Sequence, residues 1–237
     1  MGFETDFTRE FVRRSLPVGA RRVLEVGCGS GVLAASLSLD GLTMVAIDSH
    51  FDSILAAQRL GLDARVASWP DFDGGQFDAV LFTRSLHHIH PLDQAVLRAA
   101  QSLLENGRMI VEDFAYESID EKTLRWFVSV IDALERAGSV AGNDEFLNAF
   151  RIQTESLTAW RENHERDLHP AANIFARMTE VFDHVTHETA PYFFRYLAKV
   201  TIPIAKRDMI LREVAEWEAA LISEGTIVAL GRRFVAE

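Results

Sequence analysis

Between Arg22 and Val111, short apolar β runs alternate with helical segments, and this alternation constrains the fold more than any other feature of the chain. Arg22–Val26, Thr43–Ile47, Leu62–Ala67, Phe77–Phe82 and Arg108–Val111 read as strands. Val32–Leu39, Phe51–Arg59 and Pro91–Leu104 read as helices. The last is the best patterned, with Leu92, Ala95, Val96, Ala99, Ala100 and Leu103 recurring at helical spacing. Gly41, Gly61 and Asn106-Gly107 supply the stops. Strands interleaved with helices in this way make βαβ units, and hence a parallel sheet covered on both faces.

Beyond Val111 the pattern changes. Lys122–Ala137 is amphipathic, with Leu124, Phe127, Val128, Ile131 and Leu134 on one face. Glu155–Glu165, Ala171–Phe182 and Arg207–Ser223 read as further helices. His184–Val200 carries β-rich runs, Tyr192–Tyr196 among them, and Gly225–Val235 closes the chain as a strand. No linker rich in Pro, Gly or Ser separates the two halves, so residues 1–237 are expected to form one domain. A chain of 237 residues that is 48% hydrophobic has the material for one sizeable core.

Charge and cysteine content narrow the function. A net charge of −11 argues against a broad grip on nucleic acid, which needs Lys and Arg to displace counterions. The single cysteine, Cys28, forms no internal disulfide, so nothing points to an oxidising compartment. Met1–Arg14 lacks the apolar core of a signal peptide. The longest run free of charged side chains, Val26–Leu39, is short and broken by Gly and Ser. The expectation is a cytoplasmic protein without membrane contact.

The first strand runs into Glu25-Val26-Gly27-Cys28-Gly29-Ser30-Gly31, ahead of a helix. Glycines there let the backbone turn sharply and approach a ligand closely. Asp48 ends the next strand, where a carboxylate accepts both hydroxyls of a ribose. A dinucleotide fold prefers G-x-G-x-x-G. Here Gly31 is misplaced for that pattern, and Glu25 suits a positively charged ligand better than a pyrophosphate.

Glu25 to Gly31 resembles the E/D-x-G-x-G-x-G motif of the class I S-adenosylmethionine (SAM)-dependent methyltransferases. Asp48 resembles that family's acidic residue after strand two. Phe77-Asp78-Ala79-Val80-Leu81 and Ser85-Leu86-His87-His88-Ile89 resemble its fourth strand and the continuation. Glu105–Val111 is similar to its turn into strand five. The resemblance covers roughly residues 20–115, and the chain's end, Gly225–Val235, is more loosely similar to the family's final hairpin. It implies a doubly wound, Rossmann-like α/β sheet of seven strands, the last antiparallel, with helices on both faces. From the residues themselves, the stretch from Phe114 to about Asp183 is longer than a crossover between strands five and six needs and is mostly helical, so 115–183 is expected to form a helical insertion, a lid over the acceptor.

By the same resemblance SAM is the cofactor. Glu25, Gly27, Cys28, Gly29 and Thr83 are expected beside it, and Asp48 on the ribose hydroxyls. Many family members carry an Asp after strand three near the adenine amine; here Ser68 and the Trp69 ring are expected to supply that contact. Trp69 as core packing stays open beside it.

Methyl transfer needs an aligned acceptor, and a hydroxyl or ammonium acceptor must also lose a proton. The expected bases are His88 and His169. Arg84, His87, Tyr116, Trp160, Tyr192 and Arg195 are the candidate acceptor contacts, Arg84, Tyr192 and Arg195 suiting an acidic or phenolic molecule. The aromatics Tyr116, Trp126, Phe146, Phe150 and Trp160 line a pocket, pack helices together or make a homodimer contact; all three stay open. No metal is expected, since His164, Asp167, His169, Glu112 and Asp113 match no metal-ligand spacing. Thr83-Arg84-Ser85-Leu86 stands where amino-methylating enzymes of bases carry Asn/Asp-Pro-Pro-aromatic, and no cysteine is free for pyrimidine C5 chemistry. The expectation is a small-molecule acceptor methylated on O or N, with no nucleic-acid partner. The alternatives are a protein that uses SAM without methyl transfer and an NAD-binding oxidoreductase.

Overall fold

The computed structural model describes residues 2–140, 156–164, 167–201 and 204–237. In chain order the elements are α1 Phe3–Ser15, β1 Arg22–Val26, α2 Val32–Ser38, β2 Thr43–Asp48, α3 Phe51–Arg59, β3 Asp63–Val66 and β4 Phe77–Thr83. Then come α4 Leu92–Gln101, β5 Leu103–Phe114, α5 Glu121–Arg136, α6 Ser156–His164 and α7 Ala171–Val181. The chain ends with β6 Val185–Ala190, α8 Phe194–Leu197, α9 Arg207–Ser223 and β7 Gly231–Ala236.

The strands form one seven-stranded sheet in the order β3-β2-β1-β4-β5-β7-β6. The pairs from β3 through β5 are parallel, and β7 runs antiparallel to both β5 and β6. The sheet is Rossmann-like, as expected. Successive residues face opposite sides. Leu24, Val26, Val80 and Phe82 pack with Val96 of α4 and Met178 of α7. Val23, Ala79 and Leu81 pack with Val12 of α1, Leu37 of α2 and Ala57 of α3. That alternation, buried on both faces, is the physical reason for the near-continuous apolar strands.

The chain leaves β1 toward β2 and β3 on one side of the sheet, and β4 and β5 lie on the other. The switch in direction between β1 and β4 opens a crevice at their carboxyl ends. Glu25 pairs in register with Leu81 and Val26 with Phe82, so the glycine loop and the Thr83–Ser85 segment emerge side by side.

A third core lies beyond the sheet. It joins Phe3 of α1, Phe127 and Ile131 of α5, Trp160 of α6, Phe194 of α8 and Leu211 of α9. The segment between β5 and β6 therefore packs with α1 and with the long β6–β7 connection, rather than standing alone.

Several element expectations are corrected. Tyr192–Tyr196 is not β: α8 occupies Phe194–Leu197, because the Glu218 carboxylate takes the Tyr192 and Phe193 backbone N–H groups at 2.8 and 3.0 Å. The fourth helix stops at Gln101, and β5 begins at Leu103, earlier than Arg108, passing through Asn106 at φ 64°. The last strand begins at Gly231; Gly225, at φ 66°, instead ends α9. The charged N-terminus forms α1, with Phe3, Phe11 and Val12 buried. Phe146 and Phe150 lie outside the described residues. Among the described residues no helix is long and apolar enough to cross a membrane.

Candidate active site

The loop after β1 is built for close backbone approach. Gly27, Gly29 and Gly31 adopt φ of 73°, 53° and 75°, a region that side chains strain. A Cβ on Gly27 would also lie 2.5 Å from the Ser85 Cβ. The Gly27 and Cys28 N–H groups donate to the Ile47 carbonyl at 2.8 and 3.0 Å, and Gly29 N–H donates to Asp48 Oδ2 at 2.9 Å. Asp48 Oδ1 accepts the His50 N–H at 2.9 Å and lies 3.2 Å from the His50 ring Nδ1. Oδ2, bonded to Gly29 N–H, keeps a second lone-pair site for a ligand.

Three cavities meet here. The first, about 710 Å³, lies between Gly27, Asp48, Ser68, Trp69 and His88. Trp69 packs in the core and also lines this cavity: its indole N–H donates to the Ala95 carbonyl at 3.0 Å and its ring meets Phe82 edge-on. The second, about 530 Å³, is bounded by Glu25, Cys28, Gly29 and Thr83, with Glu4 and Thr8 of α1 across it. The third, about 560 Å³, is lined by His87, His88, Phe114, Tyr192, Arg195 and Lys199. Arg84 borders all three.

Glu25 is 1% exposed, and Thr83 donates to its Oε1 at 3.1 Å. Its Oε2 is buried and has no hydrogen-bond partner among the described residues. Burial pushes the carboxyl up to about 7, against the pull of Thr83 and Arg84. Burial, with Glu25 and Asp48 nearby, pushes the Cys28 thiol up to about 12. Cys28 therefore stays a thiol and is no nucleophile at neutral pH.

Arg84 follows β4 at φ 62°. Its backbone N–H donates to the Glu112 carbonyl at 2.7 Å, and its side chain reaches Thr8 at 3.3 Å and Glu112 at 3.4 Å. Glu112 is the electrostatic hub behind the third cavity, ion-paired with Arg195 and Arg233 and bonded to Thr8 at 2.7 Å. Burial works against its charge, but Arg195, Arg233 and Arg84 outweigh it and hold the carboxyl down at about 2. Tyr192 is stacked on Phe114 at 4.8 Å, and burial pushes its phenol up.

The structure thus brings Arg84, His87, His88, Tyr192 and Arg195 together. Three other candidates line none of the three cavities, because their polar atoms are spent on backbone carbonyls. Trp160 is fully buried and donates to the Tyr116 carbonyl at 3.0 Å. Tyr116 donates to the Leu168 carbonyl at 3.1 Å. His169 bonds through Nε2 to the Ile89 carbonyl at 3.0 Å.

Sequence reasoning missed Glu4, Thr8, Lys199 and Glu218. Glu4 and Thr8 lie on α1, a helix not assigned from the sequence. Glu218 did leave a signal: it continues the buried Leu211, Val214 and Ala215 face of α9 at helical spacing, a carboxylate on an apolar stripe.

A family model described as a methyltransferase domain matches residues 5–166. The chain belongs to that methyltransferase family. A ubiquinone biosynthesis O-methyltransferase from Escherichia coli O9:H4 (strain HS) is 27% identical over 172 residues, covering 65% of this chain and 69% of the relative. Among solved structures, phosphoethanolamine N-methyltransferase 2 of Haemonchus contortus in complex with SAM superposes with a TM-score of 0.61 at 15% identity. That match takes in 98% of this chain and about half, 52%, of the other. The plantazolicin methyltransferase BpumL in complex with SAH gives 0.54 at 11% identity, covering 99% and 82%. This methyltransferase is SAM-dependent. Its residues fit the cofactor: a buried carboxylate oxygen at Glu25 without a hydrogen-bond partner among the described residues, a loop with no room for a side chain at Gly27, and Asp48 with a lone pair to spare on Oδ2.

Proposed function

We propose that this methyltransferase acts on an oxygen or nitrogen of a small acidic or phenolic molecule seated in the third cavity. The observation that carries the reading is the junction at Arg84, where the two cavities around the glycine loop open onto one lined by histidine, tyrosine and arginine. Bound SAM supplies a methyl group on a sulfonium already activated for displacement. The protein's part is alignment, which is worth roughly 7–11 kcal/mol of barrier in well-oriented systems.

Placement supports the proposed residue roles. Glu25 Oε2 would pair with the cofactor's ammonium, and Asp48 would accept a ribose hydroxyl. Ser68 and the Trp69 ring would border the base. Gly27, Cys28, Gly29 and Thr83 shape the floor, Thr83 through its bond to Glu25. Arg84, Tyr192 and Arg195 form the acceptor wall with His87 and His88. The lid is wider than 115–183. That segment contributes His164 and Leu168, while Tyr192 to Lys199 come from the β6–β7 connection and Glu4 from α1. Of the two bases expected from the sequence, His88 borders both the first and the third cavity, and His169 lines neither. The O-methyltransferase relative supports a small acceptor.

The test is incubation with methyl-labelled SAM and a panel of small phenols, carboxylic acids and amines, reading S-adenosylhomocysteine and labelled product. Labelled product from a panel member supports the reading. Cofactor binding with no turnover across the panel returns the protein to the class that uses SAM without methyl transfer.

A further inference from the structure

Three histidines, His87, His88 and His164, line the third cavity, and one has a feature the others lack. His87 Nδ1 lies 2.5 Å from Asp113 Oδ1, and Asp113 is fully buried. That carboxylate is fixed in turn. It accepts the Phe114 backbone N–H at 3.0 Å and the His87 backbone N–H at 3.3 Å, so β5 and the turn after β4 hold both partners in one orientation. With Nδ1 engaged, Nε2 is the ring nitrogen left for a ligand, and His87 lines the cavity beside Arg84 and Tyr192. The edge of the Phe114 ring against the imidazole, at 5.2 Å, restricts its rotation further.

The neighbouring histidines are placed differently. His164 is engaged at both nitrogens, with the Trp160 carbonyl at 2.7 Å and the Tyr196 hydroxyl at 3.3 Å. His169 spends Nε2 on a backbone carbonyl. His88 is exposed and has no carboxylate bonded to its ring among the described residues; partial burial and the nearby His87 lower its pKa.

We propose that the His87–Asp113 pair is the general base of the reaction, and that the acceptor atom is therefore a hydroxyl oxygen. This rests on the reading of the cavity as the acceptor site. The acceptor oxygen forms its bond to the methyl carbon as the carbon–sulfur bond breaks, the bonding pair going to sulfur. The hydroxyl proton passes to His87 Nε2, and Asp113 balances the imidazolium that results. The wall chemistry favours oxygen over an ammonium: among the described residues, Arg84, Arg195 and Lys199 line the cavity against one lining carboxylate, Glu4. The titratable groups around the imidazole are Asp113 from β5, His88 from its own turn, His164 from α6 and Tyr192 from the β6–β7 connection. Arg84 adds a fixed positive charge.

The test uses the full chain with SAM and two acceptors that carry the same carboxylate, 3,4-dihydroxybenzoate and 4-(aminomethyl)benzoate. S-adenosylhomocysteine release is the readout. The catechol is methylated and the amine is not. His87→Gln lowers kcat for the catechol about 10²- to 10⁴-fold, the range of a lost general base. Asp113→Asn lowers it at least tenfold, so either variant alone carries the test. Both bind S-adenosylhomocysteine within a factor of about three of wild type by calorimetry. The acidic limb of the kcat–pH profile, where the base takes up its proton, disappears in His87→Gln and persists in His88→Asn. Methylation of the amine alone, methylation of neither acceptor, or an acidic limb removed by His88→Asn and kept in His87→Gln overturns the proposal. Failure of wild type to bind S-adenosylhomocysteine would instead bring down the cofactor site on which it rests.

Discussion

At Glu25, burial and an unfilled hydrogen-bond position coincide, and this makes the residue a reporter of cofactor binding. Its carboxyl, raised to about 7 by burial, is largely protonated at pH 6. An ammonium placed on Oε2 favours the carboxylate, so binding releases a proton below pH 7 and affinity falls as the pH drops through that value. Titration of S-adenosylhomocysteine at pH 6 in buffers of different ionisation enthalpy is expected to show up to one proton released, and none in Glu25→Gln. Equal buffer dependence in the two proteins would remove Glu25 from the ammonium site. The residue was legible in the sequence because its place in E-x-G-x-G-x-G is fixed by the strand-to-loop turn. Trp160 and His169 were not, since nothing in a sequence says which carbonyl a buried indole or imidazole will meet.

Among the elements, α9 and the segment before α8 depend on each other through Glu218. The carboxylate takes the two N–H groups of Tyr192 and Phe193, and so sets where the Tyr192 ring stands in the acceptor wall. Glu218→Ala leaves both donors buried and unpaired, an expected loss of roughly 2–5 kcal/mol in urea unfolding. Burial raises this carboxyl to about 8. Its stabilisation is therefore complete below pH ~4.5 and is lost as the pH rises through about 8. Wild-type stability should decline across that window, and Glu218→Ala should flatten the decline; an unchanged slope would contradict this assignment. The βαβ elements were legible from periodicity, because their strands bury both faces. Tyr192–Tyr196 was not: its aromatic, β-prone composition yields to a carboxylate from a helix 22 residues further on from Tyr196.

Across the whole molecule, Glu112 ties separate parts of the chain together: Thr8 of α1, Arg84 after β4, Arg195 of α8 and Arg233 of β7. Its carboxyl, held at about 2, contributes stability that is present above pH ~4.5 and lost as the pH falls toward 2. Glu112→Gln leaves buried guanidinium groups uncompensated, at a cost of about 3–5 kcal/mol measurable by urea titration at pH 7. A loss under 1 kcal/mol would show that the hub is not what joins the acceptor wall to the sheet. The doubly wound half was readable because local periodicity dictates it. The wall was not, because it is assembled from both ends of the chain around a third core. The central claim is that the crevice between β1 and β4 holds SAM, and calorimetric titration of S-adenosylhomocysteine into wild-type and Asp48→Ala protein tests it most directly. Wild type is expected to bind, and the variant, folded by thermal melting, to bind about 1.5–3 kcal/mol more weakly, roughly 10- to 150-fold; equal affinities, or no binding by wild type, would contradict the account.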